Sequence, residues 1–243
     1  MATYKKRGYK KPTKKEGDLL ENEVYDGEST TEEVFNTLNE SASKTEEWVA
    51  SNQKFILGGI GVVVLLVLGF LGYQQFILKP KEAEASNEMF FAQQYFDEAV
   101  NSTAKDSLYG LALNGADGKY GLIDIIDNYG GTKAANLAHY SAGMAFLNTQ
   151  KYDEAIKYLQ DFKSDDPILS ALAKGGIGDA FVQLGQEQDG LEYYEKAIAT
   201  SENAFTTPKF LFKAGVISLQ AGDAAKALKY FNRVKNEYSD SEE

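Results

Sequence analysis

The chain lacks cysteine altogether and has one histidine, His139, among its 243 residues. Without cysteine there is no disulfide, thiolate nucleophile, iron–sulfur cluster or cysteine-ligated zinc. A single histidine excludes histidine-rich metal sites and allows a Ser–His–Asp triad at only one position. The formal net charge of −11 argues against a DNA-binding main domain. We therefore expect no catalytic residue, no metal and no cofactor.

Charge is missing from one stretch, residues 55–78. Its strictly apolar part, residues 55–73, has 19 residues, and at about 1.5 Å per residue it crosses roughly 30 Å of hydrocarbon. Trp48 and Tyr73 lie near its two ends, where aromatic side chains prefer the headgroup layer. A buried core helix rarely runs so long without a charge, and the 54 preceding residues argue against a cleaved signal peptide. The sequence predicts a transmembrane helix over 55–78.

The first fifteen residues hold seven positive charges and no acid. Residues 4–15 can bind anionic lipid or the phosphates of ribosomal RNA, or they can form a solvated tail that only sets topology. Basic residues tie on the two sides of the span, so the Lys5–Lys15 cluster decides the preferred orientation. We expect residues 1–29 to be a disordered cytoplasmic tail, basic and then acidic, with the C-terminal domain on the other side of the membrane.

Two capping signals precede the span. Thr30 with Glu33, and Ser43 with Glu46, fit the Ser/Thr-x-x-Glu capping box. They predict short juxtamembrane helices over 30–54, the second of which can run into the membrane.

Glycines recur within the span at spacings of three and four. On a helix these spacings place them along one face, where a missing side chain lets another helix approach closely. Glycine is common in membrane helices, so composition alone is the alternative explanation. The predicted packing face consists of Gly58, Gly61, Gly69 and Gly72.

Three segments of the C-terminal part align with one another. Their anchor glycines Gly143, Gly178 and Gly215 are 35 and 37 residues apart, and aromatic and small residues follow each anchor at matching positions. Pro167 closes the first segment because proline cannot continue a helix. The pattern resembles the tetratricopeptide repeat, a pair of helices A and B in each unit. The resemblance implies an all-α, right-handed solenoid over 79–243, whose predicted repeats are 134–167, 169–203 and 206–240.

A divergent helix pair over 82–129 is predicted to precede the repeats. Apolar residues at Met89 and Phe90 mark its first helix, and Tyr120–Tyr129 marks its second. Residues 101–119 contain NGADGKY and are expected to form a turn-rich insertion. The domain would then have about eight helices.

Binding to other proteins is the function that remains, since no catalytic constellation is present. His139 lies at a core position of a predicted helix A, so we expect it to be packed and not to act as a base. In a tetratricopeptide stack the concave face is lined by helix-A residues that do not touch helix B. Large apolar side chains there suit varied partners, and amides can bind a peptide backbone. The predicted groove consists of Tyr140, Met144, Leu147, Asn148, Asp179, Gln183, Phe212, Val216 and Gln220.

The whole arrangement, a tail, one span entered by EEWVASNQKFILGGIG and a repeat domain, resembles the YfgM family. The resemblance covers roughly residues 30–240, whereas the basic leader 1–15 and the insertion 101–119 depart from the family. It implies a single-pass protein of the bacterial inner membrane, with a cytoplasmic N-terminus and a periplasmic repeat domain. It implies a non-enzymatic scaffold at the SecYEG translocon that contacts emerging envelope proteins or periplasmic chaperones. The alternative is an envelope-assembly adaptor, in cell-wall or outer-membrane machinery, that is independent of the translocon.

Overall fold

The computed structural model describes the backbone of residues 30–242, with the side chains of Leu38 and of residues 45–242. The predicted tail 1–29, its basic cluster 4–15 and the Thr30 capping box therefore lie outside the described side chains. All regular structure in the described part is helical. The helices are α1 (Thr30–Tyr73), a π-helical turn (Gln74–Leu78), α2 (Lys79–Asn101), α3 (Lys105–Asn114), α4 (Leu122–Asn128), α5 (Lys133–Asn148), α6 (Tyr152–Asp161), α7 (Pro167–Gln183), α8 (Glu187–Thr200), α9 (Thr207–Gln220) and α10 (Ala224–Glu237).

Internal contacts divide the chain into two units, residues 1–65 and 66–243. The described part of the first unit is helical throughout, because α1 begins at Thr30 and runs without a break past Leu65. The expectation of separate short helices over 30–54 is therefore wrong. The residues between the two predicted caps, such as Leu38 and Ala42, favour helix. The sequence therefore has no signal that ends the first predicted helix before the second begins.

The predicted span, residues 55–78, is entirely helical, and most of its large apolar side chains are exposed. Within the described residues it is the one helical stretch long and apolar enough to cross a membrane. A Cβ added at Gly58, Gly61, Gly69 or Gly72 would meet no atom within 4 Å. The π-helical turn ends the stretch, and the amide of Lys79 donates to the carbonyl of Gln74.

The region expected to be a turn-rich insertion, residues 101–119, contains a helix. Residues 105–114 form α3, whose Tyr109, Ala112 and Leu113 are buried. The turn signals NGADGKY act only after α3, between Asn114 and Gly121. The prediction failed because the following glycines dominated the pattern and because the burial of α3 depends on its packing against α2 and α5. Residues 79–242 accordingly contain nine helices, α2–α10, in place of about eight.

Residues 133–237 form three helix pairs, α5–α6, α7–α8 and α9–α10, which pack in sequence. We call the first helix of each pair A and the second B. Each anchor glycine lies in an A helix directly beside its B helix: a Cβ at Gly143 would lie 2.5 Å from Leu159, one at Gly178 2.7 Å from Tyr194, and one at Gly215 2.5 Å from Phe231. The anchor glycines therefore do what the sequence predicts, bringing the two backbones together.

The turn between A and B uses left-handed backbone in all three pairs. Gly185 and Gly222 have φ values of +74° and +83°, and Gln150 has a φ of +61° at the same register position. Glycine adopts this conformation without cost, whereas a side chain adds about 1–2 kcal/mol. The first repeat thus keeps the turn geometry although it lacks the glycine.

Successive pairs also meet at glycines. A Cβ at Gly175 of α7 would lie 1.9 Å from the ring of Phe210 in α9, and Phe210 is buried. This contact joins the second pair to the third. Buried residues occur from α2 to α10 in three neighbouring clusters, and alanine supplies many of them.

We expect Gly175→Ala to lower the free energy of unfolding by about 1–3 kcal/mol, because the added methyl group must displace the buried Phe210 ring. The matched control is Gly110→Ala in α3, where a Cβ meets nothing within 4 Å. Removing the backbone freedom of glycine there should raise stability by about 0.5–1 kcal/mol. Urea unfolding of the full chain in detergent, followed by circular dichroism, measures both. Equal effects of the two substitutions would contradict the packing described here.

Candidate functional site

The predicted groove residues Tyr140 and Met144 are half-buried between helices. The ring of Tyr140 lies 5.2 Å from that of Phe162, and the sulfur of Met144 lies 3.3 Å from where a Cβ on Gly176 would be. Both side chains pack against the core cluster formed with α7. Both side chains are therefore partly covered within the fold, and their role in partner binding stays a prediction.

Asp179 joins three helices. Its carboxylate accepts a hydrogen bond of 2.7 Å from the Tyr194 hydroxyl and bonds of 2.6 and 2.7 Å from the Lys213 ammonium. Burial raises the pKa of Tyr194, and the neighbouring Asp179 carboxylate raises it further. The three groups tie α7, α8 and α9 together. Asp179 is thus already engaged within the fold.

The three amides of the predicted groove, Asn148, Gln183 and Gln220, are exposed. Asn148 donates to the carbonyl of Met144 in its own helix, at 2.8 Å. The structure therefore leaves the amides of the second and third repeats open to solvent.

The apolar side chains of the predicted groove differ in burial. Leu147 is partly buried and packs against the core, and Val216 is half-buried. Phe212 remains largely exposed, with its ring 5.8 Å from that of Phe231. The predicted groove residues thus do not form one open surface.

An open apolar groove lies instead between α2 and α5. We call it the α2–α5 groove, with a volume of about 500 Å³. Phe90 is 62% exposed there and Leu137 is 40% exposed. The lining residues are Glu82, Ser86, Met89, Phe90, Gln93, Lys133, Ala134 and Leu137.

A second cavity of about 800 Å³ continues from it along α2 and shares Phe90 and Gln93. Its outer part carries Asp97 and Glu98, which accept hydrogen bonds from Gln93 and Gln94 at 2.9 and 3.0 Å. In the described part of the chain, neither carboxylate forms an ion pair. The two cavities together are therefore lined by apolar side chains, by amides and by two carboxylates that form no ion pair among the described residues.

The sequence did not indicate this groove, although it marked Phe90 as part of an apolar helix pattern. Met89 is buried, as that pattern predicts, but the neighbouring Phe90 points to solvent. Adjacent residues of a helix point about 100° apart, so only a wide apolar face buries two of them. The local pattern therefore does not separate a buried Phe90 from an exposed one.

The first turn of α2 is fixed to the start of α5, which holds the groove open at this end. The Glu82 carboxylate accepts from the amides of Lys133 and Ala134, at 2.7 and 2.9 Å. A carboxylate at a helix N-terminus satisfies unpaired amides and complements the helix dipole. Lys81 adds a 3.2 Å bond to the carbonyl of Gly130. These bonds fix where Phe90 lies relative to Leu137.

His139 is partly buried in α5, with its ring 5.9 Å from that of Tyr158. Its Nδ1 is buried and has no hydrogen-bond partner among the described residues. Burial lowers the pKa of His139, and the carboxylates of Asp161 and Asp127 oppose this only in part. The side chain is packed, as the sequence predicts. No group of His, Asp or Glu residues within the described ranges is arranged to hold a metal ion.

The fold and the groove define a class: an all-helical, tetratricopeptide-like protein whose surfaces suit binding to other proteins. Residues 91–243 match the family model described as "T7SS, ESX-1 secretion system protein EccA1, N-terminal domain". The match extends over more than half of the chain, and the chain belongs to this family. It does not single out the YfgM family that the sequence resembles.

The chain is also similar to the crystal structure of MamA, at 18% sequence identity and a TM-score of 0.41. That similarity covers 67% of this chain and 93% of MamA. Among curated proteins, none matches the chain.

We expect stability to fall as the pH is lowered from about 7 through the pKa of His139. An unfolded histidine titrates near pH 6.5. Because burial lowers the folded pKa, the unfolded chain takes up a proton in this range that the folded chain does not. The stability that the neutral His139 ring contributes is fully present above the unfolded pKa. It is lost as the pH falls through the folded pKa. Urea unfolding between pH 7.5 and 5.5 measures the slope.

The control is His139→Phe, which keeps an aromatic ring beside Tyr158 and removes the only histidine of the chain. Carboxylates are common to both proteins, so the difference between the two slopes isolates His139. Identical slopes would show that the ring is not buried in the neutral form.

Proposed function

We propose that this chain is a non-enzymatic, membrane-anchored scaffold that binds segments of other proteins in the α2–α5 groove. The observation that carries the proposal is the exposure of Phe90 and Leu137 on the two sides of a cavity of about 500 Å³. A large apolar patch facing water brings no stability and is typical of an interaction site. The exposed amides Gln183 and Gln220 offer further polar contacts along the A helices.

The membrane anchor is residues 55–78. Large apolar side chains around this helix are exposed, and a soluble fold would bury them. Transfer into lipid removes the same surface from water, at about 25 cal/mol per Å². We place the anchor in the bacterial inner membrane, with residues 1–29 cytoplasmic and the repeat domain periplasmic.

The partner we propose is the SecYEG translocon, together with emerging envelope proteins or periplasmic chaperones. Two observations support a role in protein export: the resemblance to the YfgM family, and membership of a family described by a secretion-system protein. The glycine face Gly58, Gly61, Gly69 and Gly72 would pack on a translocon helix, since open space lies beside each glycine. Residues 4–15 would contact the ribosome or anionic lipid. The alternative is an envelope-assembly adaptor that works away from the translocon.

Affinity purification of the full chain from mild-detergent membranes tests the partner. We expect translocon subunits to be recovered together with soluble envelope proteins. Recovery of cell-wall or outer-membrane assembly factors without translocon subunits would support the adaptor instead, and recovery of neither would overturn both.

Matched variants assign each recovered partner to a surface. Phe90→Ala with Leu137→Ala should lower recovery of soluble partners about tenfold or more, since truncating central apolar contacts costs more than 1 kcal/mol each. Stability should change by less than about 1 kcal/mol, because both side chains are exposed. Phe205→Ala, an exposed aromatic outside the groove, is the control. Gly61→Leu with Gly69→Leu should instead lower recovery of the translocon and leave membrane insertion intact.

Protease added from the periplasmic side tests the topology. With the N-terminus in the cytoplasm, we expect α2–α10 to be digested or released as a soluble core, while residues 1–29 stay protected. Antibodies against each end of the chain report the two fragments. Protection of the repeats with loss of the tail would reverse the orientation.

A further inference from the structure

The two cavities along α2 meet at Phe90 but differ in charge. The α2–α5 groove is lined by one acidic and one basic residue, Glu82 and Lys133. The neighbouring cavity of about 800 Å³ is lined by Asp97 and Glu98 and by no basic residue, and we call it the acidic cavity. A segment that lies along both cavities therefore passes from an apolar surface to a negatively charged one.

The two carboxylates of the acidic cavity are not neutralised by the fold. Asp97 and Glu98 are exposed, and each accepts one hydrogen bond, from the uncharged amides of Gln93 and Gln94. An amide donor orients a carboxylate and leaves its charge in place. Lys105 is the next basic residue along the chain, and in the described part it forms no ion pair with either carboxylate. The acidic cavity therefore has negative charge available for a cation.

The position of Glu98 opposes the stability of α2. Glu98 lies in the last turn of this helix, which contains no basic residue. The unpaired carbonyl groups of a last turn form the negative end of the helix dipole, and a carboxylate there is unfavourable. The charge of Glu98 therefore does not stabilise the helix that carries it.

The charge of α2 restricts what can lie on it. Residues 82–104 carry five acids and no basic residue. They repel the phosphates of nucleic acid and of anionic lipid, and they repel the same face of a second copy. Residues 4–15 of the chain are basic, but they lie across the membrane in the orientation proposed above. The occupant that fits is a positively charged segment of another protein.

We propose that the α2–α5 groove and the acidic cavity together bind a protein segment in which apolar residues are followed by a cluster of lysine or arginine. The apolar part lies between Phe90 and Leu137, and the basic part lies beside Asp97 and Glu98. The inference rests on the proposed function, because it names the class of segment that the same groove binds. Between Glu82 and Glu98, α2 rises about 24 Å, which a helical segment of about 16 residues spans.

Two fluorescent peptides of about 16 residues test the charge preference. Both begin with leucine and alanine; the lysine peptide ends in a cluster of lysines, and the glutamine peptide has glutamine at the same positions. Fluorescence anisotropy measures their binding to the full chain in nanodiscs of zwitterionic lipid, and empty nanodiscs give the lipid background. We expect the lysine peptide to bind about five- to tenfold more tightly, because exposed ion pairs are individually weak. Added salt should reduce this difference.

Asp97→Asn with Glu98→Gln removes both charges at nearly constant volume. It should lower the affinity for the lysine peptide to that for the glutamine peptide, without lowering the midpoint of thermal unfolding. Phe90→Ala should weaken the binding of both peptides, because both insert apolar side chains in the groove. The matched control is Asp153→Asn with Glu154→Gln, an exposed acidic pair on α6, which should leave the binding of both peptides unchanged.

The absence of native cysteine allows a test of the direction in which the segment lies. Asn101→Cys places a thiol in the acidic cavity, and Ser86→Cys places one in the α2–α5 groove. A lysine peptide with cysteine at its basic end should form a disulfide with Asn101→Cys about fivefold faster than with Ser86→Cys, because proximity sets the rate. A cysteine at the apolar end should reverse the order.

The outcomes separate this inference from the proposed function. Equal affinities for the two peptides, both weakened by Phe90→Ala, would overturn the charge preference and leave the groove as a binding site. No binding of the lysine peptide would also overturn the inference, whereas the purification with Phe90→Ala and Leu137→Ala still decides the proposed function. Binding that appears only after the seven basic residues of 4–15 are replaced by glutamine would identify the chain's own tail as the occupant, and so would overturn the inference. Equal cross-linking at Asn101→Cys and Ser86→Cys would overturn the direction and with it the inference.

Discussion

Close approach of an A helix to its neighbours at glycine is the contact on which the repeat domain depends. Gly143, Gly178 and Gly215 each face a bulky side chain of the following B helix, and Gly175 faces the Phe210 ring of the next pair. With a Cβ at these positions the helices would stand farther apart, and the rings would lose their contacts on one side. Tyr140 and Met144, which are expected on a binding face, are partly buried against the same packed helices.

An array in which each repeat covers the previous one needs another cover for its first repeat. Upstream of the first repeat, α2, α3 and α4 pack on α5, so the apolar face of that repeat is buried by its own chain. The cover is incomplete, and the α2–α5 groove lies between these two helices, with Phe90 and Leu137 exposed. The proposed binding surface is therefore at the place where helices outside the repeat pattern cover the first repeat.

Much of the fold could be predicted from sequence, and the misses share a physical reason. Anchor glycines at near-constant spacing identified the three helix pairs, because a contact that tolerates no side chain leaves a mark in every repeat. Helix α3 was missed because its burial depends on α2 and α5, which the local pattern does not contain. The burial of individual side chains was hardest to predict, since Tyr140 is partly covered by Phe162 and Phe90 is exposed. The exposed fraction of a side chain depends on the residues that pack around it, and the identity of the residue itself does not determine it.

The hydrogen bonds that hold the first turn of α2 lie directly after the proposed anchor. Glu82 and Lys81, which bind the start of α5 and the preceding turn, follow the end of the proposed anchor within four residues. The helix that leaves the anchor is thus the same helix that forms one wall of the groove. A partner bound between Phe90 and Leu137 contacts a helix whose first turn is held by charged hydrogen bonds, which are stronger than neutral ones. The groove is therefore pre-organised, and a partner loses less binding free energy to ordering its walls.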